Sequence, residues 1–478
     1  MKHDDLKNKI EQKLDEINNL SGLELLADNA ISAYHKLFAK IFAPNVCISV
    51  IHDTDADGLC AARIWRIYAE KLDIEYETLP LSRTDRNPIE IANKIPQNHI
   101  IVALDCGSSS DWSLITNDIF IIDHHVPHEH SANVILLNPT GTESSYCASS
   151  LIYKLMEKYS GIRDDEAIQY AAIGSVADMV PLLYTTRKVV KNGLWAMNKK
   201  PVKIAKALKP MYGTYTEKHI GFYIAPTINA GSRMNRTEVA IDAIVNEDDA
   251  AIIELKKLNT QRKNEITKCI DNAKITKYNN CIIVEITTDT EISGLVATKI
   301  LNTNVGIVAA LCIRNDNASL RSIEGLDVQN FISSNDNLSG GGHKNAAGCT
   351  FNDKSKLIQD FVKFCESSSI ISSAVKEIDL IISGKDIKPA RAIMKAHAPY
   401  GMGFRPLLFS TKLTIKEINN KTSVDSGYAI FRLADQKDTF YAICYSVPIR
   451  VSVGNDYIFE YEFSDGIIEI KNIREIEW

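Results

Sequence analysis

Val46–Leu72 reads VCISVIHDTDADGLCAARIWRIYAEKL, and it is the stretch that decides the fold. VCISVI is an apolar run without alternation, the pattern of a strand covered on both faces. HDTDADG follows as a tight glycine-containing turn, and LCAARIWRIYAEKL then has the spacing of a helix. Within the turn Asp55 and Asp57 stand two residues apart, so both carboxylates can face one point. The arrangement recurs further along. IIVAL (Ile100–Leu104) ends in Asp105-Cys106-Gly107, and IFII (Ile119–Ile122) ends in Asp123-His124-His125. Strands alternating with helical stretches imply βαβ units and a parallel sheet. In such a sheet the carboxyl edge of the strands is where ligands bind, and each of these three strands ends there in acids or histidines. Asp178, after the apolar AAIGSVA and before Pro181, is placed to close the same site.

Around this core the chain divides further. Residues 1–42 read as amphipathic helices, with Leu6, Ile10, Leu14, Ile17 and Leu20 at three- and four-residue steps, Leu23 and Leu26 continuing the stripe and Pro44 ending it. An α/β domain is expected over 43–238. A long polar helix over 239–276 leads to a second, smaller α/β domain over 277–375. From 376 to 478 alternating stretches such as YAIFRLA, FYAICYS and YIFEYEF predict a small β-barrel or meander.

The 478 residues carry 54 Lys+Arg against 60 Asp+Glu, a net charge of -6, which excludes a polycation gripping nucleic acid by bulk charge. No segment has the roughly 18 uncharged apolar residues of a spanning helix. Met1–Leu20 has no apolar core and is not read as a signal peptide. Ten scattered cysteines without a CxxC pair fit free thiols in a reducing cytoplasm.

Four or five carboxylates crowded at one sheet edge would repel one another unless cations neutralise them. Carboxylates mixed with one or two imidazoles suit Mn2+ or Mg2+ better than structural zinc. Two such ions can clamp the attacking and leaving oxygens of a phosphoryl centre.

HDTDADG, LDCG, IDHH and SVADMVPL, in that order, resemble the four motifs of the DHH phosphoesterase superfamily. GFYIAPTINAGSRM (Gly221–Met234), LNTQRKNE (Leu258–Glu265), LRSIEGLDV (Leu320–Val328) and GGGHKNAAG (Gly340–Gly348) extend the resemblance to RecJ-like exonucleases and their DHH-associated lobe, and HAPYGMGFRPLLF (His397–Phe409) resembles the entry into that family's OB-type domain, which implies an OB-like β-barrel over 376–478. The resemblance implies that Asp55, Asp57, Asp105, His124 and Asp178 hold two Mn2+ or Mg2+ ions, with Asp105 between them. It gives Asp123 the task of orienting an imidazole and puts His125 close to metal or phosphate, as the catalytic pair. Arg233, Arg321, Ser322, Gly341, Gly342 and His343 would bind phosphates, the glycines by letting backbone N–H groups approach. Several positions depart from the family pattern, among them GFRPL (Gly403–Leu407) in place of the usual GNPEP. His52 and Asp53 compete for the outermost ligand of the first motif, Thr227 stands where an arginine is common, and NAGSR replaces NAAGR.

The function implied is a metal-dependent exonuclease on single-stranded DNA or RNA, in repair or replication. The alternatives are a phosphodiesterase for short oligonucleotides or cyclic dinucleotides, and a replication-complex scaffold associating with a protein such as GINS. The barrel favours the first, since shorter relatives generally lack it. Two further features bear on a nucleic-acid path. Arg187–Lys209 holds eight basic residues and no acid, which reads equally as a phosphate track or a solvated helix face. The barrel is neutral, with 14 basic and 14 acidic residues over 376–478, and Tyr400, Phe404, Tyr441 and Tyr445 are either core or stacking platforms.

Overall fold

The computed structural model describes residues 3–18, 36, 39–41, 46–81, 87–139, 146–210, 213–304, 306–368, 377–422, 427–445, 451–464 and 466–476. They form two compact units. One comprises 1–81, 86–225 and 376–478, the other chiefly 226–375.

In the first unit, β1 (Cys47–His52), β2 (Tyr76–Pro80), β3 (His99–Leu104), β4 (Ile119–Ile122) and β5 (Val134–Leu137) make an all-parallel sheet of order β2-β1-β3-β4-β5. The expected parallel α/β architecture is present. After β2 the chain returns to the other side of β1, so the order reverses between β1 and β3. That switch point opens a crevice at the carboxyl ends of those two strands. Ile51, Ile101, Ala103, Ile119 and Ile121 share one face of the sheet with Trp112 and Ile115.

Helices of the same unit include α1 (His3–Asn18), α2 (Ala56–Leu72), α4 (Ala148–Ser160) and α5 (Ala167–Ala177), with a short α3 (Pro88–Ala92) between β2 and β3. α5, AIQYAAIGSVA, is buried over its first nine residues, which its small side chains permit against α2 and α4. In α1 the stripe Leu6, Ile10 and Leu14 is buried, while Leu20, Leu23, Leu26 and Pro44 lie outside the described residues. Two helices follow the fourth motif, α6 (Tyr184–Lys199) and the short α7 (Lys203–Ala207). A π-helical turn over Ile220–Ile224 runs into α8 (Ala225–Arg233).

The second unit holds α9 (Thr237–Ile244) and α10 (Asp249–Asp271). The long polar helix begins later than the pattern suggests, because the Asp248 side chain caps it by accepting the Ala251 amide at 2.7 Å. Its sheet comprises β6 (Lys274–Lys277), β7 (Cys281–Glu285), β8 (Ala309–Arg314), β9 (Asn317–Ser322), β10 (Leu338–His343) and β11 (Ala346–Phe351), in the order β10-β11-β9-β8-β7-β6. α11 (Ser293–Thr303), α12 (Val328–Ser333) and α13 (Lys354–Ser367) pack on it.

The C-terminal part rejoins the first unit. After β12 (Leu380–Ile381) and α14 (Ile387–Ala396), which packs on α1, come β13 (Phe409–Thr422), β14 (Gly427–Ala434), β15 (Thr439–Cys444), β16 (Asp456–Ser464) and β17 (Ile467–Arg474). They are ordered β13-β14-β15-β17-β16, and β16 pairs back onto β13, with β15 parallel to β17. That closed Greek-key order is the OB topology. Phe409, Leu413, Phe431, Leu433, Phe459, Tyr461 and Ile470 fill it. Tyr400 and Phe404 are core, whereas Tyr441 and Tyr445 are 66% and 56% exposed. All ten cysteines are free thiols, and no described helix is long and apolar enough to cross a membrane.

Candidate metal centre

β1 delivers His52, Asp53 and Asp55 to the crevice edge. His52 is fully buried, with Nδ1 2.7 Å from the Asp53 carbonyl, so Nδ1 carries the proton and Nε2 keeps its lone pair. That Nε2 is buried without a hydrogen-bond partner. Burial lowers the imidazole to about 4, so the ring is neutral. Asp53 Oδ1 accepts the Thr54 amide at 2.7 Å. Asp55 caps α2, its Oδ1 accepting from the amides of Asp57 at 3.0 Å and Gly58 at 3.3 Å. The glycine is required here, since a Cβ at 58 would lie 2.5 Å from the Asp53 carbonyl oxygen.

Asp105 follows β3 in a left-handed conformation (φ 60°), a strained state for a non-glycine residue, and is 3% exposed. Its Oδ1 is buried with no hydrogen-bond donor. Oxygens of Asp53, Asp55 and Asp105 lie within 4.8 Å of one another, and Asp105 also belongs to a second group of the same tightness with Asp123, His124 and His125. His124 Nε2 is 3.4 Å from both Asp105 Oδ1 and Asp178 Oδ2. Asp105 is thus common to both sides. Burial and the charges of Asp57, Asp55, Asp53 and Asp123 push its carboxyl well above the usual range. Burial and the Asp57 and Asp55 charges do the same to Asp178. On His124 burial outweighs the nearby carboxylates and lowers the ring.

Asp123 is differently employed. It is 1% exposed, and Oδ1 accepts the amides of His124 (2.7 Å) and His125 (3.2 Å) while Oδ2 accepts that of Ser108 (3.0 Å). His125 Nδ1 lies 2.7 Å from the same Oδ1, and against a carboxylate it is the donor. Burial opposes ionisation of Asp123, but the His125 hydrogen bond and charge, with the Ser108 amide, hold it well below the ordinary carboxylate range. Burial likewise opposes the His125 cation, and Asp123, with Asp178 and Asp55, pushes it up to about 9. Asn138, after β5, completes this corner by donating to the His125 carbonyl at 2.7 Å and to Ser108 Oγ at 2.9 Å. Sequence reasoning passed over Asn138, although its place at a strand's carboxyl end was a usable signal.

Asp57, expected beside Asp55, has both carboxylate oxygens on the first turn of α4. Oδ2 accepts the Ala148 amide at 2.8 Å and Oδ1 that of Ser149 at 3.1 Å. Gly174 of α5 makes room, since a Cβ there would sit 2.4 Å from Asp57 Oδ1. The carboxylate therefore neutralises a helix N-terminus, and any ligand role would use its remaining lone pairs.

The residues expected to bind phosphate lie mostly in the second unit. Arg233 ends α8 and donates to the Glu291 carbonyl at 3.3 Å. Arg321 of β9 donates to the Leu320 carbonyl at 2.7 Å and covers Gly294, where a Cβ would meet its Nη2 at 2.4 Å. Ser322 differs from the expectation: it is buried, and its hydroxyl donates to the Leu326 carbonyl at 2.6 Å rather than outward. Gly341, Gly342 and His343 lie exposed on β10, the sheet's edge strand; a Cβ at Gly341 would meet open space, whereas one at Gly342, which has φ 145°, would lie 2.6 Å from the Ala346 carbonyl oxygen. Thr227, in place of the usual arginine, accepts from Asn259 at 2.9 Å, and Asn259 Oδ1 accepts from Arg262.

The donor set fits divalent cations. Buried carboxylates this close, one with an unbonded oxygen, beside imidazoles held neutral, want an Mn2+- or Mg2+-like ion.

Residues 46–180 match the DHH family N-terminal domain and 278–368 the DHHA1 domain. The chain is 24% identical over 398 residues to the single-stranded-DNA-specific exonuclease RecJ of Bacillus subtilis (strain 168), covering 74% of this chain and 50% of that protein. It is 25% identical over 329 residues to RecJ of Thermus thermophilus, covering 63% and 49%. It spans about half the length of these curated relatives. The crystal structure of RecJ in complex with Mn2+ from Thermus thermophilus has a similar fold, with TM-score 0.81, 19% identity and coverage of 99% of this chain and 76% of that one. Exonuclease RecJ bound to manganese is also similar, at TM-score 0.58, 22% identity and coverage of 72% and 96%. The chain thus carries a DHH family N-terminal domain and a DHHA1 domain, and in sequence and fold it is similar to RecJ exonucleases.

Proposed function

We propose that the chain is a metal-dependent phosphodiesterase that removes nucleotides from the ends of single-stranded nucleic acid. The observation that carries the reading is the convergence on Asp105. One of its oxygens is within 4.8 Å of those of Asp53 and Asp55 on one side, and on the other its Oδ1 is 3.4 Å from His124 Nε2, which is itself 3.4 Å from Asp178 Oδ2. These residues would hold two ions, Mn2+ or Mg2+, with Asp105 shared, and the bare lone pair of His52 Nε2 is a further donor at the same strand end. Bound ions would supply Lewis-acid charge for the phosphate and lower the pKa of water.

The chain's own residues do the rest. Asp123 fixes the His125 ring by its Nδ1 proton and favours its protonated form, so His125 can give a hydrogen bond, and a proton, to a phosphate oxygen or the departing oxygen. Asp123 is thus a positioning residue. Asp57 ties the first motif to α4 and so holds Asp55 in place. The OB barrel in the same unit supports a strand rather than a dinucleotide as substrate.

The test is digestion of a 20-nucleotide strand carrying a label at one end or the other, as DNA and as RNA, beside a dinucleotide. Release of mononucleotides from the long strand in Mn2+, abolished by EDTA and by Asp105→Ala in a folded protein, is expected. Hydrolysis that survives Asp105→Ala would remove the site assignment, and a preference for the dinucleotide would replace the strand as substrate.

A further inference from the structure

Helix α6 carries a surface that the metal centre does not use. Thr185, Val189, Val190, Gly193, Leu194, Ala196 and Met197 face inward, and Gly193 lets α5 come close, since a Cβ there would lie 2.5 Å from that of Ala172. On the opposite side Lys188, Lys191, Trp195 and Lys199 are all exposed. Their spacings of three, four and four residues put them on one face of a helix. The stripe is about 16 Å long at 1.5 Å per residue, the length of about five stacked nucleotides. Lys200, Lys203, Lys206 and Lys209 continue the exposed charge, and no acid occurs from 187 to 209. Arg187 belongs elsewhere. Its guanidinium lies 4.0 Å from the centre of the Phe404 ring and donates to the His397 carbonyl, so it fastens α6 to the segment before the barrel.

Trp195 points to the kind of partner. It sits in the middle of the lysines, 52% exposed, with Lys199 Nζ 3.9 Å from its ring centre. A half-exposed indole among cations forgoes burial that a neighbouring hydrophobic position would provide. Backbone charge neutralisation together with base stacking on an aromatic is how single strands are held without sequence preference. An acidic peptide or an anionic lipid surface would use the lysines but would not call for a stacking face. α6 starts six residues after Asp178, so the stripe leads away from the metal centre along the chain.

We infer that the outer face of α6 is a binding track for single-stranded nucleic acid, with Lys188, Lys191 and Lys199 on phosphates and Trp195 under a base. A base stacking there would release Lys199 to an adjacent phosphate. The inference deepens the nuclease reading and rests on a strand being the substrate.

The experiment measures binding of a fluorescein-labelled 20-nucleotide oligothymidylate by anisotropy, in EDTA, as a function of salt. Each phosphate contact contributes about 0.7 to the slope of log affinity against log salt for a single strand. Lys191→Gln/Lys199→Gln should therefore flatten the slope by about 1.4. Trp195→Ala should weaken binding about fivefold or more with the slope unchanged. Neither change should alter the affinity for a dinucleotide, which separates the track from a general loss of structure, and a thermal melt like that of the wild type is expected for these exposed positions. An unchanged slope in the double variant, or unchanged affinity in Trp195→Ala, overturns the inference. So does equal dependence on these residues for polyglutamate or for phosphatidylserine vesicles, which would make the face a docking patch for another polyanion. Because the assay needs no hydrolysis, a wild-type protein that leaves strands intact in Mn2+ would refute the nuclease reading, while the slope would still decide this one.

Discussion

Replacing Asp105 by asparagine should stabilise the protein without metal and abolish the stabilisation that metal brings. At 4.8 Å, two unit charges in an effective dielectric of 20 repel by about 3.5 kcal/mol. Asp105 faces two such neighbours, Asp53 and Asp55, and its Oδ1 receives no hydrogen bond to compensate. Proton uptake relieves part of this, leaving a gain from Asp105→Asn on the order of 1–2 kcal/mol, typical of substitutions that relax a functional site. In Mn2+ each ion at about 100 times its Kd adds about 2.7 kcal/mol to the wild type, whereas the variant, holding at most one ion weakly, gains little. The ranking therefore inverts. In EDTA the variant is the more stable, and in Mn2+ the wild type leads by about 1 kcal/mol or more. Urea unfolding followed by far-UV circular dichroism, with and without Mn2+, reads both signs. A variant less stable than the wild type in EDTA, or equally stabilised by Mn2+, would refute the reasoning.

Three other outcomes follow from the same geometry. Gly174→Ala places a Cβ 2.4 Å from Asp57 Oδ1 and 2.1 Å from Ser149 Oγ, so it should cost about 1–3 kcal/mol in urea unfolding even in EDTA. Asp164 accepts the amides of Glu166 and Ala167 at the start of α5 and binds Lys71; burial opposes its charge, but these partners lower its pKa. A lowered carboxyl contributes stability above its unfolded pKa of about 4 and loses it as pH falls through the folded value. Asp164→Asn keeps the acceptor oxygen but loses the charge beside Lys71 and the helix start, so it should cost about 0.5–1 kcal/mol at pH 7, and the gap to the wild type should close below about pH 4 in pH-dependent melts. Finally, Asp123→Asn removes the anion that holds His125 protonated, so the alkaline limb of the rate–pH profile should move to lower pH; an unmoved limb would release His125 from its proton-donor role.

The strand ends were legible because uninterrupted apolar runs stop at polar residues wherever a buried parallel strand reaches the sheet edge, as at Asp53, Asp105 and Asp123. The barrel was legible from alternation, as in YAIFRLA. What pattern could not supply was pairing across the chain. Asp57 and Ala148 are 91 residues apart, and only packing of α2 on α4 shows that the second aspartate of DADG sits on a helix N-terminus. His52 and Asp53 were indistinguishable as donors until the Nδ1 bond to the Asp53 carbonyl left Nε2 as the ring's free lone pair. Ser322 looked available in LRSIEG, yet a residue ending a β-strand can turn its hydroxyl to the adjoining loop, here Leu326. Among the eight basic residues of 187–209, helical spacing separates the exposed stripe from Arg187 only once the buried face of α6 is known.

The central claim is two divalent ions sharing Asp105. Counting bound Mn2+ by equilibrium dialysis against the full chain tests it most directly. Two ions per wild-type chain, with Asp105→Asn retaining at most one and weakly, is the predicted result. A wild type that binds no Mn2+, or an Asp105→Asn protein that still binds two with unchanged affinity, would contradict it.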